Sequence, residues 1–112
     1  MKGAVLQGLW SACSHKKHAC HGDLSAIVHT PPVGNRWYRL LDEACLEVVS
    51  TGGPLVTSLV TARHSRLPGH GFLTLAERLC LDWKDPVAFM ESEQKLARQW
   101  ISENPDGWDL RC

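Results

Sequence analysis

The most constraining feature of the sequence is a long run in which apolar residues recur with the period of an α-helix. The apolar positions of this run are Val33, Trp37, Leu40, Leu41, Ala44, Cys45 and Val48. Such spacing places all of them on one face of a helix with 3.6 residues per turn, which predicts a helix buried along that face. Pro32 suits the first turn of this helix, and Gly52-Gly53-Pro54 predicts its end.

Apolar periodicity and capping residues predict four further helices. The first spans about residues 3–20, and its apolar face is Val5, Leu6, Leu9, Trp10 and Cys13. A short second helix runs from Leu24 to His29 behind Asp23 and ends at Thr30-Pro31-Pro32. The fourth covers about Phe72–Leu81. The fifth opens at Asp85-Pro86 and ends before Asn104, with an apolar edge of Phe89, Leu96, Trp100 and Ile101.

One segment has the composition of a buried strand. Residues 55–61 are rich in β-branched side chains and apolar on both faces, which predicts a strand without naming its partner. A buried strand needs paired edges, so the candidates are the segment after Arg66, the tail 108–111 or a second protomer. The loop that follows, 63–71, is basic and contains the turn pair Pro68-Gly69.

Length and composition limit the fold. A chain of 112 residues with 44% hydrophobic and 21% charged side chains makes a single domain that can bury a core without metals or disulfides. No uncharged run has the roughly 18 apolar residues of a membrane span, so no membrane partner is expected. We predict a mostly α domain with a small β element (α+β), winged-helix-like, with about five helices. Its parts are a helix-turn-helix-like unit at 23–49, a strand and basic loop at 54–71, C-terminal helices at 72–104 and a tail at 105–112.

The five cysteines are odd in number and widely spaced, which does not indicate a disulfide framework. Cys45 and Cys80 fall within apolar helical patterns, so we expect buried free thiols in a reducing, cytoplasmic location. The N-terminal residues lack the cleavage site of a signal peptide.

A cluster of potential zinc ligands follows the first apolar run. Its members are Cys13, His15, His18, Cys20 and His21. Their spacing matches no known zinc motif, and two lysines within the cluster oppose a divalent cation. We therefore predict a polar helix end stopped by Gly22, with no metal and no cofactor, and keep a zinc site as the lesser alternative.

Charge is distributed unevenly along the chain, although its formal total is zero. Residues 1–66 contain seven Lys/Arg and four acids, a balance of +3, whereas residues 67–112 contain five and eight, a balance of −3. A polyanion is therefore expected to meet the first half of the chain.

A short helix, a turn and a longer amphipathic helix at 23–49 resemble a helix-turn-helix. In that geometry the first residues of the second helix reach the major groove, where Asn reads adenine and Arg reads guanine or binds phosphate. Asn35, Arg36 and Arg39 occupy those positions. The basic loop follows where a wing would stand, with Arg63, His64 and Arg66 near backbone phosphates.

The segment after this helix also resembles known sequences. Its Pro54-Leu55 and Ser58-Leu59-Val60, followed by residues 67–72 (Leu-Pro-Gly-His-Gly-Phe), look like segments of short, uncharacterised bacterial proteins. Over residues 23–72, the order of recognition-like helix, strand and Gly-rich loop is similar to the DNA-binding domain of alkyltransferase-like proteins. The reactive Pro-Cys-His-Arg motif is absent, since Leu, Val and Thr follow Pro54. The resemblance implies DNA-binding architecture without alkyl transfer.

The sequence favours a non-catalytic protein that binds double-stranded DNA. It lacks a Gly-rich nucleotide loop. Cys13 and Cys20 have histidines nearby, but proximity in sequence does not make an aligned catalytic pair. The alternative is a protein-interaction module, an inhibitor or adaptor, with a basic partner or as a homodimer. Its surface would be acidic and tryptophan-containing and would comprise Trp83, Asp85, Glu91 and Trp108.

Overall fold

The computed structural model describes residues 2–13, 19–31, 34–62 and 65–103. They form five α-helices, two very short strands and one 3₁₀ segment, so the expectation of a mostly α domain with a small β element is confirmed. The helices are α1 (Lys2–Cys13), α2 (His21–Val28), α3 (Gly34–Ser50), α4 (His70–Arg78) and α5 (Pro86–Glu103). The strands are β1 (Ala19–Cys20) and β2 (Val60–Thr61), and the 3₁₀ segment is Val56–Leu59.

Helices α2 and α3 both pack against α1. Its predicted apolar residues from Val5 to Trp10 are buried. Gly8 allows α2 to approach closely, because a Cβ at this position would lie 2.9 Å from Cδ1 of Leu24. Such a contact is shorter than van der Waals packing permits, so a larger residue at position 8 would force the end of the Leu24 side chain to shift.

The predicted face of α3 is confirmed wherever the structure describes it. The side chains from Trp37 to Val48 that share this face are all buried. The helix ends at the predicted glycine pair: the N–H of Gly53 bonds the carbonyl of Val48 at 3.0 Å, and the N–H of Gly52 bonds that of Val49 at 2.9 Å. Gly52 has φ of +87°, which is the left-handed position of a Schellman C-terminus.

The predicted strand at 55–61 is wrong over most of its length, because residues 56–59 form the 3₁₀ segment. A 3₁₀ turn can bury the same apolar residues as a strand. Side chains three residues apart in such a turn lie directly above one another, on the same side. The β-partner is also different from the candidates. Strand β2 pairs in parallel with β1, with Ala19 opposite Val60 and Cys20 opposite Thr61. This sheet is not a hairpin of β2 with the loop after it, and the winged-helix arrangement stays a prediction.

The boundaries of three predicted helices also move. Helix α1 ends at Cys13, not near residue 20, and β1 occupies two residues of the expected helix. Helix α2 already begins at His21, so Gly22 lies inside a helix and does not stop one. Helix α4 begins and ends earlier than expected, because Gly69 lies at its N-cap and Cys80 turns the chain with φ of 59°.

Helix α5 covers the 3₁₀ segment, and the two elements form the largest helix contact of the fold. The buried Gln94 donates from Nε2 to the carbonyls of Ser58, at 2.9 Å, and Arg66, at 2.7 Å. Trp100 of the same helix meets Trp10 of α1 edge-to-face, with 5.5 Å between ring centroids. Helix α5 therefore joins the middle of the chain to its first helix.

A second apolar cluster lies between α4, α5 and the far side of α3. Its buried members are Cys45, Leu55, Phe72, Leu75, Ala76 and Met90. Cys45 is buried as predicted, but Cys80 is exposed because the helix ends before it, and Leu96 is exposed on the outer side of α5. In the part of the chain that the structure describes, no helix combines the length and apolar character needed to cross a bilayer.

Candidate nucleic-acid interface

The three predicted DNA-reading residues share the exposed side of the first turns of α3. Asn35, Arg36 and Arg39 are all exposed, whereas Trp37 and Leu40 in the same turns are buried. The helix has no acidic residue in its first turn. Its positive N-terminal end and both arginines therefore face solvent together.

One of the two acidic residues in the turn after Arg39 is already paired. Asp42 accepts an ion-pair contact from Nη1 of Arg78 at 3.4 Å. Among the described residues, neither Arg36 nor Arg39 has a carboxylate partner. The two guanidinium groups are thus available to an external anion.

Hydrogen bonds to main-chain atoms hold the loop that carries Arg66. Gln94 fixes the Arg66 carbonyl, and Ser65 Oγ accepts from the N–H of Leu67 at 3.1 Å. The Arg66 side chain is exposed. The loop thus presents the Arg66 guanidinium to solvent from a hydrogen-bonded main chain. Arg63 and His64, which were also predicted to bind phosphate, lie outside the described residues.

A cleft of about 150 Å³ brings this loop against α3. Tyr38 and Asp42 of α3 line one side, and Pro68, Gly69 and Gly71 line the other. A Cβ at Gly71, in the first turn of α4, would be 3.4 Å from the ring of Tyr38, so the start of α4 touches α3 there. Pro68 and Gly69, which follow Arg66 in the loop, line the same cleft as Tyr38.

His21 lines the same cleft and is fixed by a buried tryptophan. Trp37 Nε1 donates to His21 Nδ1 at 2.9 Å, and the imidazole also meets the Tyr38 ring edge-to-face at 6.1 Å. Burial lowers the pKa of His21 below its ordinary value. Because Nδ1 accepts a hydrogen bond, the neutral ring carries its proton on Nε2.

Asp42 is the second titratable group of the cleft. Burial raises the pKa of its carboxyl, and the nearby Arg78 guanidinium opposes that rise. Sequence reasoning missed both His21 and Asp42 as members of one site. No local pattern connects them, because His21 belongs to α2 and meets α3 only through the tertiary fold.

Only part of the predicted Cys/His cluster lies in described structure. The side chain of Cys13 and all of His15 and His18 are outside it, while Cys20 and His21 are half-buried. A zinc ion on Nε2 of His21 would require a proton on Nδ1, which would then oppose the Trp37 N–H. Within the described residues, no three His, Cys, Asp or Glu side chains are grouped to bind a metal.

The alternative interface residues gather at the start of α5. Trp83 stacks on Phe89 with 4.8 Å between centroids, and Asp85 Oδ1 accepts from the N–H of Val87 at 3.0 Å. Trp83 is consequently half-buried and Asp85 caps a helix, so both have structural roles. Glu91 is exposed, and Trp108 lies outside the described residues.

Comparison with known proteins returned no matching family model, no matching curated protein and no matching solved structure. The resemblance to the DNA-binding domain of alkyltransferase-like proteins therefore stays a prediction. Function must accordingly be inferred from the geometry of α3, the Arg66 loop and the cleft between them.

Proposed function

We propose that this protein is a non-catalytic binder of double-stranded DNA. The first two turns of α3 would enter the major groove, and Arg66 would lie against a phosphate. The observation that carries the proposal is the exposure of Asn35, Arg36 and Arg39 on one side of a helix whose other side is buried. These side chains offer a bidentate amide and two guanidinium groups to base edges and phosphates.

The packing of α3 supports this orientation. Trp37 is fully buried and hydrogen-bonded to His21, so the residues on either side of it are presented from a fixed helix. Helix α1 supports α2 and α3 from the opposite side. A rigid helix loses little conformational entropy on binding, which favours its use for recognition.

Charge limits the kind of DNA binding that is expected. The formal net charge is zero, and Glu43 is exposed one turn after Arg39. Affinity must therefore come from a few localised contacts, since nonspecific coating of DNA requires a large excess of cations.

The experiment is fluorescence anisotropy with a labelled random-sequence duplex, measured at 50 and 200 mM salt. We expect Arg36→Ala and Arg39→Ala each to weaken binding by roughly tenfold and to reduce the salt slope by about one phosphate contact. The matched control is Lys95→Ala, which removes an exposed cation from α5. The proposal fails if no binding occurs at the lower salt, or if Lys95→Ala weakens binding as much as the α3 variants do.

A second candidate, binding of a basic protein, is favoured by one observation. Leu81 and Val87 are 39% and 45% exposed on either side of Trp83, close in sequence to Asp85 and Glu91. Apolar side chains bordered by acids suit a partner that is both apolar and basic. In pull-down experiments this function predicts that Val87→Ser abolishes capture of the partner, whereas Arg36→Ala leaves it intact.

A further inference from the structure

We propose that the cleft between α3 and the loop before α4 binds a small neutral nitrogen heterocycle through His21 and Asp42. The proposal does not rest on DNA binding, because neither Arg36 nor Arg39 contributes to the cleft. Its ligand would be a single planar ring that carries one N–H donor and one ring-nitrogen acceptor, as imidazole does.

The size of the cleft sets the size of the ligand. Its volume is about 150 Å³, which is about five times the volume that one water molecule occupies in the liquid. Pockets for drug-sized molecules begin at about 300 Å³. The cleft therefore has room for one ring.

His21 supplies a hydrogen-bond donor of fixed direction. Its Nδ1 is held by Trp37, so the Nε2–H on the other side of the ring is the group left for a ligand. A ring nitrogen with a lone pair is a suitable partner. Trp37 is fully buried, which keeps the imidazole from rotating to offer a different atom.

Asp42 supplies an acceptor one helical turn from Tyr38, which itself touches His21. Burial raises the pKa of its carboxyl, and the contact with Arg78 at 3.4 Å opposes that rise. His21 and Asp42 thus give the cleft both a hydrogen-bond donor and an acceptor. A ligand with an acceptor on one edge and a donor on the other can satisfy both.

The remaining walls favour a flat and uncharged ring. Leu41, Val60, Pro68 and Phe72 line the cleft together with the Tyr38 ring, so most of the lining is apolar or aromatic. Aromatic faces stack with planar rings. A ligand ring protonated on both nitrogens would place an N–H against the Nε2–H of His21. Two donors cannot share a hydrogen bond, so the cationic form of the ligand is disfavoured.

The test is a titration of the isotope-labelled full chain followed by amide NMR at pH 8.5, where imidazole is neutral. We expect imidazole to give saturable shifts confined to the cleft residues, with the weak, millimolar affinity ordinary for a single-ring ligand. Pyrrole lacks the acceptor and 1-methylimidazole lacks the donor. Each should bind roughly tenfold more weakly if both hydrogen bonds form.

A pair of adjacent acids on α3 provides the protein control. Asp42→Asn removes the proposed acceptor charge and should weaken imidazole binding roughly tenfold, whereas Glu43→Gln changes an exposed carboxylate and should leave it unchanged. Equal affinity for all three ligands, or shifts scattered outside the cleft, would overturn the proposal. The ligand series on the unmodified chain distinguishes these outcomes even if Asp42→Asn does not fold.

Discussion

Among the described residues, two that are not glycine hold the left-handed conformation at the ends of helices. His29 follows α2 with φ of 61°, and Cys80 follows α4 with φ of 59°. A side chain in this region clashes with the backbone and costs about 1–2 kcal/mol relative to glycine. At the end of α3 the same position is Gly52, with φ of +87°, so that helix ends on the residue favoured in this conformation.

Replacing Cys80 by glycine is expected to stabilise the protein. The substitution relieves the left-handed strain, and after the greater flexibility of glycine in the unfolded chain is subtracted, we expect a gain of about 0.5–1 kcal/mol. Urea denaturation monitored by tryptophan fluorescence measures it. Cys80→Ala separates the backbone effect from loss of the exposed thiol, and Gly52→Ala should destabilise by a similar amount. A loss of stability in Cys80→Gly would contradict this account.

The burial of His21 makes stability depend on pH. The pKa of His21 is lowered by burial from an ordinary value of 6.5, so the unfolded chain binds more protons as pH falls. This contribution to the free energy of unfolding is complete above pH 6.5 and is lost as pH falls from there toward the lower folded pKa. Denaturation curves collected between pH 8 and pH 5 measure the effect.

A conservative variant isolates the contribution of His21. His21→Gln retains an acceptor for Trp37 but does not titrate, so its stability should fall less than that of the unmodified protein over the same pH range. His29→Gln is the control, because His29 is exposed. If both variants have the same pH dependence, the His21 explanation is wrong.

At the scale of elements, α5 depends on one polar residue on its buried side. Gln94 is 6% exposed, and its amide serves the carbonyls of Ser58 and Arg66. Buried carbonyls need a donor, because losing one leaves the full cost of desolvation. Gln94 therefore connects α5 to both the 3₁₀ segment and the Arg66 loop.

Gln94→Leu is expected to destabilise the protein by about 2–3 kcal/mol, since an apolar residue of similar size leaves two carbonyls without their donor. Gln99→Leu is a matched control on the exposed side of the same helix, and it should change stability by less than about 0.5 kcal/mol. Chemical denaturation of both variants measures the difference. Equal costs would show that the Gln94 hydrogen bonds are dispensable.

Helices were more predictable from the sequence than strands, for a physical reason. The apolar spacing of α3 extends over several turns, so burial of one face fixes the helix and its register. The strands have two residues each and pair across a long separation in sequence, which no local pattern encodes. Residues 56–59 are apolar enough for either a strand or a buried turn, and tertiary packing decides between them.

The candidate site, like the fold, was predictable only in part. Exposed side chains between buried ones follow directly from helical periodicity, which is why the exposure of Asn35, Arg36 and Arg39 could be predicted. The cleft was not predictable, because His21, Tyr38 and Gly71 belong to three separate helices. Only packing in three dimensions brings them together.

At the scale of the whole molecule, the first and last helices are joined by aromatic contact. Trp10 of α1 and Trp100 of α5 meet edge-to-face, and both pack on the larger apolar cluster. This contact connects segments at opposite ends of the described chain. It should therefore contribute to cooperative unfolding of all five helices.

A double-mutant cycle measures the coupling. Trp10→Leu and Trp100→Leu each remove one ring while keeping an apolar side chain, and the two changes should be less than additive by about 1 kcal/mol. Each variant and the double variant are compared by chemical denaturation. The pair Trp100→Leu with Cys80→Gly, which involves no shared contact, is the additive reference. Strict additivity of the tryptophan pair would contradict the proposed coupling.

The parallel pairing of β1 with β2 has a consequence for biosynthesis. The ribosome releases β1 early, but its partner and the covering α5 emerge much later. Until then the nascent chain exposes the apolar sides of α1 and α3, which are surfaces that chaperones bind and that aggregate when left uncovered. Completion of the fold must therefore wait until the C-terminal helix leaves the exit tunnel.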